Sequence, residues 1–195
     1  MIRYLPFAIA IIIAGTGCQK AKTAKAINPD AKIDPCSLIT ADEVLKIQGS
    51  SVKEVKPSET SDNRFRYSQC FYTTEIFNES VSLAITQRNS AGDKAGNPKE
   101  FWNETFGKYA ANVKEREGDE EKKKSLAEED EERAAPPKRI TGMGDDAWWT
   151  TARMGGAIYV LKDNLFIRVS VGGTGNQDAK LEKAKALATK ALSRL

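Results

Sequence analysis

The sequence predicts an α+β domain, a mainly antiparallel sheet with helices packed on one face. Three observations lead there. Apolar and polar residues alternate with period two in several short segments, as at Val81, Leu83 and Ile85 and again at Leu165, Ile167, Val169 and Val171. Other segments carry helix caps or repeat their apolar residues at helical spacing. The elements run helix, strands, helix, strands, helix, so strands come in neighbouring groups rather than in strict alternation with helices, which favours antiparallel pairing over βαβ units.

The first helix is the best signalled. Thr40 and Glu43 have capping-box spacing, Ile39 and Val44 hold the positions of a hydrophobic staple, and Gly49 supplies the stop. Residues 50–56 read as a strand, followed by a polar turn region through Asn63, and residues 67–74 read as the next strand. Asn97-Pro98 opens a second helix, with asparagine as cap, proline at the first helical position and Glu100 three residues after the cap. Trp102, Phe106, Tyr109 and Val113 fall on one face of it. Residues 114–133 then hold ten acids and six bases, with Leu126 the only large apolar side chain. Such a stretch has no face to bury, so it reads as an exposed helical extension or an acidic loop, part of a charged insertion spanning 114–137.

Residues 148–151, 157–161 and 165–171 read as three further strands, the last two separated by a Lys162-Asp163-Asn164 turn. A glycine turn, Gly172 to Gly175, leads into a final helix with Leu181, Ala184, Ala188, Ala191 and Leu195 on one face. Residues 34–195 thus suffice for one core and one domain.

The chain has 195 residues, 30 Lys+Arg against 27 Asp+Glu, three cysteines and no histidine. Near-balanced charge makes no case for nucleic-acid binding. The missing histidine excludes Ser-His, Cys-His and His-metal sites. Residues 1–17 read as an export signal: Arg3, then an uncharged, largely apolar run over residues 5–14, then small residues before Cys18. That run is short of the ~20 residues a helical span needs. Residues 18–33 are Ala/Lys-rich without apolar periodicity and read as a flexible tether.

Gly15-Thr16-Gly17-Cys18 resembles the lipobox of bacterial lipoproteins, with Gly15 where leucine is usual. The resemblance implies that Cys18 becomes the acylated first residue of the mature protein and that its acyl chains hold it to a membrane. Each acyl CH₂ buried contributes about 0.8 kcal/mol, so two or three chains anchor stably. Gln19 is not the aspartate that retains such proteins at the inner membrane, which implies the periplasmic face of the outer membrane if the source is Gram-negative. With Cys18 acylated, Cys36 and Cys70 form an even pair, which outside the cytosol points to a disulfide. The alternative is two unpaired buried thiols.

The stretch Asp34-Pro35-Cys36-Ser37-Leu38-Ile39-Thr40-Ala41-Asp42-Glu43-Val44 resembles the opening of a family of small bacterial envelope lipoproteins of unknown function, D-P-C-x-L-[LI]-[ST]-x-x-[DE]-[AV], running on to a glycine, here Gly49. That family's C-x-aromatic strand is matched by Cys70-Phe71-Tyr72, with tyrosine where tryptophan is common. Its G-x-G-[DE]-x-A segment is matched by Gly142-Met143-Gly144-Asp145-Asp146-Ala147. The resemblance implies a lipid-anchored, disulfide-linked α+β domain, supplies no reaction, and makes 114–133 look like an insertion.

No cofactor or metal motif is complete. Gly142-Met143-Gly144 lacks the P-loop lysine and the third glycine of a dinucleotide fingerprint, and reads as a turn feeding a strand. Gly172 to Gly175 precedes a helix whose free N–H groups invite an anion, but Asp178 in the first turn competes. Asp145, Asp146 and the acids of 115–132 could supply carboxylate pairs for acid/base work or calcium, though no EF-hand spacing is present and the acidic run reads first as a solvated face.

Trp102, Trp148 and Trp149 are the candidate binding residues. Neighbours on a strand point to opposite faces, so one of Trp148 and Trp149 faces the core and the other is either an exposed contact or covered by a helix. The reading is therefore a non-enzymatic envelope lipoprotein that binds an envelope protein or wall component, with no cofactor. A small-molecule carrier or sensor with an aromatic-lined pocket is the alternative, and a carboxylate-only hydrolase stands behind both.

Overall fold

The structure is a computed structural model describing residues 31–116, 135–152 and 154–195. The export signal 1–17, Cys18, all but the end of the tether 18–33, and most of the insertion 114–137 lie outside the described residues.

A 3-10 turn (Pro35–Ser37) leads into α1 (Ala41–Gln48). Three strands follow: β1 (Val52–Ser61), β2 (Phe65–Thr74) and β3 (Val81–Arg88). Helix α2 (Pro98–Arg116) comes next, then β4 (Lys138–Arg139), β5 (Asp146–Ala152), β6 (Gly155–Lys162), β7 (Leu165–Gly172) and α3 (Gln177–Leu192). The sheet order is β1-β2-β3-β7-β6-β5-β4, and every neighbouring pair is antiparallel. Two meanders are thus joined at the centre, where β3 pairs with β7 through Leu83↔Val169 and Ile85↔Ile167. The α+β class, the antiparallel sheet and the single domain are as the sequence predicts.

The cap of α1 is the predicted one. Thr40 Oγ1 accepts from the Glu43 N–H, Glu43 Oε2 accepts from the Thr40 N–H, and Gly49 ends the helix at φ 87°. Asn97 Oδ1 accepts from the Lys99 N–H at the start of α2. Asn176 Oδ1 accepts from the Ala179 N–H at the start of α3.

Alternation along the strands sorts side chains onto two faces. Val81, Leu83 and Ile85, Ile158 and Val160, Leu165, Ile167, Val169 and Val171 form one buried layer with Val44 of α1 and Leu181, Ala184, Leu187 and Ala188 of α3. The opposite face carries a second, aromatic cluster: Trp148, Leu161 and Phe166 under Trp102 and Phe106 of α2. The helices therefore divide. Helices α1 and α3 lie together on one face, as expected of the whole set, while α2 covers one end of the other.

The strand expected over residues 50–56 runs on through Ser61, taking in much of the supposed turn. It is the sheet's edge, exposed along nearly its whole length and interrupted by Pro57, so no alternation marks it.

Cys36 and Cys70 form a disulfide, with Cα atoms 5.0 Å apart, that fastens the turn before α1 to the middle of β2. Beside it, the buried Tyr72 hydroxyl donates to the Ile39 carbonyl at 2.7 Å, and burial holds the phenol neutral by pushing its pKa up to about 12.

The far end of α3 is clasped to α1. Arg194 donates through both terminal nitrogens to the Glu43 carboxylate at 2.8 Å and through one to the Leu38 carbonyl at 2.7 Å. The Arg194 hydrogen bonds, helped by the Thr40 N–H, hold the Glu43 carboxyl down near 2 against the cost of its burial. A lowered carboxyl pKa stabilises the fold above its ordinary value, near 4.5, and that contribution is lost as pH falls toward 2. The Arg194 side chain is 35% exposed and solvent screens the pair, so Glu43→Gln should cost about 1–2 kcal/mol at pH 7. Urea titrations at pH 7, 4 and 2.5 should show wild type and variant converging as the pH falls. A constant gap between them would remove Glu43 as the source.

Candidate functional site

The sequence-predicted binding residues are all interior. Trp148 is fully buried and stacks parallel to Phe106 at 5.8 Å between ring centroids, while Trp102 packs against Phe106 and Phe166. Trp149 is buried on the other face, in the layer under α3. Gly156, two strand positions from Ile158, makes room for it, because a β-carbon there would collide with the Trp149 ring. The expectation that one of the strand pair is free holds only in its second form, covered by a helix. None of the three tryptophans presents a surface for a ligand.

Of the carboxylates weighed for acid/base work, Asp145 and Asp146 are structural, while the side chains of the acids of 115–132 lie outside the described residues. Asp146 accepts from the indole N–H of Trp102 at 3.1 Å and of Trp148 at 3.0 Å, and from Arg139 Nε at 3.0 Å. It ties α2, β5 and β4 together. Asp145 Oδ2 accepts from the Asp163 N–H across the neighbouring turn. The carboxyls with perturbed pKa values, Glu43, Glu59 and Asp62, are all lowered, by Arg194, by Lys32 and by the Phe65 and Arg64 N–H groups respectively. All three stay ionised at neutral pH, whereas a general acid needs a raised value. Among the described residues no three His, Cys, Asp or Glu side chains gather as a metal set.

What the structure brings together instead is the uncovered end of the aromatic face. Register rows show why it is concave. The row under α2 reads Thr86, Phe166, Leu161, Asp146 across β3, β7, β6 and β5, bulky enough to fill the space beneath the helix. The next row is Ala84, Arg168, Tyr159, Trp148. Beyond it the side chains shrink: Ser82, Ser170, Ala157 and Thr150 across β3, β7, β6 and β5, bordered by Phe71 of β2, then the glycine pair Gly172 and Gly155. Small residues past the end of α2 leave a half-open groove of about 390 Å³. Arg168 and Tyr159 wall one end, Phe71 one side, and Met154, 69% exposed, the far end.

The polar groups of this groove are spare. Among the described residues, Arg168 makes no ion pair and its guanidinium lies 5.8 Å over the Tyr159 ring. The Ser170 Oγ is enclosed without a hydrogen-bond partner. Ser82 is buried and lines the groove with no described side chain bonding its hydroxyl. A buried hydroxyl left unpaired, as at Ser170, is unusual in a folded interior and calls for an explanation.

The sequence holds the signal for these residues: Arg168 and Ser170 share the polar side of one strand, and Ser82 lies on the polar side of another. Only the β3·β7 pairing shows that they are neighbours.

No protein-family model matches this chain, and no curated protein matches it. Among solved structures, the crystal structure of a GTP binding regulator from Thermotoga maritima is similar over 81% of this chain and 91% of its own, with 11% identity and a TM-score of 0.37.

Proposed function

We propose that this chain is a lipid-anchored, non-catalytic lipoprotein of the bacterial envelope that binds an envelope component in the open end of its sheet face. The half-open groove beyond α2, with the Ser170 hydroxyl unpaired and Arg168 without an ion pair among the described residues, carries the binding half of this reading. It is larger than a packing defect and holds no nucleophile–base pair. The Cys36–Cys70 disulfide supports a compartment outside the cytosol, because reducing compartments keep most thiols free. Cys18 and the small residues before it support the acyl anchor. A small-molecule carrier is the second reading, favoured by the volume of the groove over a flat apolar contact patch.

Membrane fractionation tests the anchor. Wild-type protein should sediment with membranes and show acyl mass on Cys18, and Cys18→Ser should move most of it to the soluble fraction. Unchanged fractionation of the variant, or no acyl mass on the wild type, refutes the anchor.

A further inference from the structure

The groove's chemistry narrows its occupant. Among the described lining residues Arg168 carries the only charge, and none of them opens a helix. One cation balances a monoanion, whereas a phosphomonoester brings about −1.5 to −2 charges and would stay half compensated. A planar guanidinium suits a carboxylate, which it can meet with two parallel hydrogen bonds. One register row on, Ser82 and Ser170 are direct partners across β3 and β7, about two residues, roughly 7 Å, along the strand from Arg168. Phe71 and the exposed Met154 give the remaining wall an apolar character. From Arg168 to Gly172 the floor runs four residues, about 13 Å. The order along it is cation, hydroxyls, apolar rim.

We infer that the groove binds a small N-acylated amino acid or like carboxylate: the carboxylate on Arg168, the amide on Ser82 and Ser170, and the acyl tail against Phe71 and Met154. This rests on the binding role proposed above and names its ligand class. The carboxylate meets an already stacked guanidinium, since the Tyr159 ring beneath it limits the conformations left to lose. A fatty acid alone would lay methylenes over the serine pair, where Ser170 Oγ has no partner, and an ester would leave the guanidinium without a counter-charge. The amide supplies what both lack.

Titration calorimetry of the full-length protein in lipid nanodiscs, blanked against empty nanodiscs, tests the assignment with three probes. N-hexanoylglycine should bind about tenfold more tightly than its methyl ester, which lacks the charge. It should also bind several-fold more tightly than hexanoate, which lacks the amide. Arg168→Gln should abolish the preference for the acid over the ester. Ser170→Ala should shrink only the preference over hexanoate. Arg168 is exposed, so its substitution should leave the melting temperature unchanged, and Arg88→Gln, an exposed arginine outside the lining, should change none of the affinities.

Equal binding of acid and ester, an undiminished preference in Arg168→Gln, or no binding of N-hexanoylglycine each overturns the assignment. Unchanged fractionation of Cys18→Ser, or no acyl mass on the wild type, refutes the anchor but leaves the same titration to be run on the protein in buffer, so the two failures are distinguishable.

Discussion

Trp148→Ala should be among the most damaging single substitutions in the fold, lowering stability by about 3–5 kcal/mol. Three losses combine at this position. The indole is fully buried between sheet and α2, so its removal leaves a cavity lined by Phe106 and Tyr109. The stacked contact with Phe106 at 5.8 Å disappears. Asp146 loses one of two indole donors and keeps the other from Trp102, with Arg139 beside it. Trp148→Phe keeps much of the volume and loses only the donor and part of the ring, so it should cost less than half as much. Thermal unfolding followed by circular dichroism should show the alanine variant melting about 10 °C or more below wild type. A fall of a degree or two would mean that α2 does not hold this tryptophan down. Because α2 meets the sheet mainly through this cluster, the variant should also free its helix to proteolysis before the rest of the domain unfolds.

Opening the Cys36–Cys70 bridge should come close behind. The bonded residues are 34 apart in sequence, and closing a loop of that length lowers the entropy of the unfolded chain by an amount worth about 3–4 kcal/mol. Cys70 is fully buried in the same layer as Tyr72 and Leu83. Denaturant midpoints with and without reductant should differ accordingly, and the Cys36→Ala/Cys70→Ala double variant should match the reduced wild type. Equal midpoints for oxidised and reduced protein would show that the bridge does not constrain the chain.

Much of this architecture was legible residue by residue. The Thr40–Glu43 cap, the Asn97-Pro98 start and the alternating apolar positions of β3 and β7 are local signals, each written within a few residues of its effect. The extent of β1 was not, because an edge strand with both faces wet has no pattern to show. The placement of α2 was not either. Helical periodicity states which stripe of Trp102 and Phe106 is buried but not which side of the sheet receives it. The clue lay in Trp148 and Phe166, large aromatics among Arg168 and Ser170 on what otherwise reads as the polar side. The tryptophans drew attention as binding residues because size and rarity resemble function, yet size is what a two-faced core needs most. The groove depends on small residues from four strands falling into one row, a relation between segments far apart in sequence that register alone creates.

The margin formed by β1 has a consequence for how copies of the chain coexist. An unpaired strand is a template onto which a second molecule can add its own, and repeated addition leads to fibres. Pro57 interrupts the run of donors such a newcomer would need, and Lys53, Glu54, Lys56 and Glu59 would each have to give up water to let it approach. Crowded side by side, these molecules meet edge to edge without zipping together.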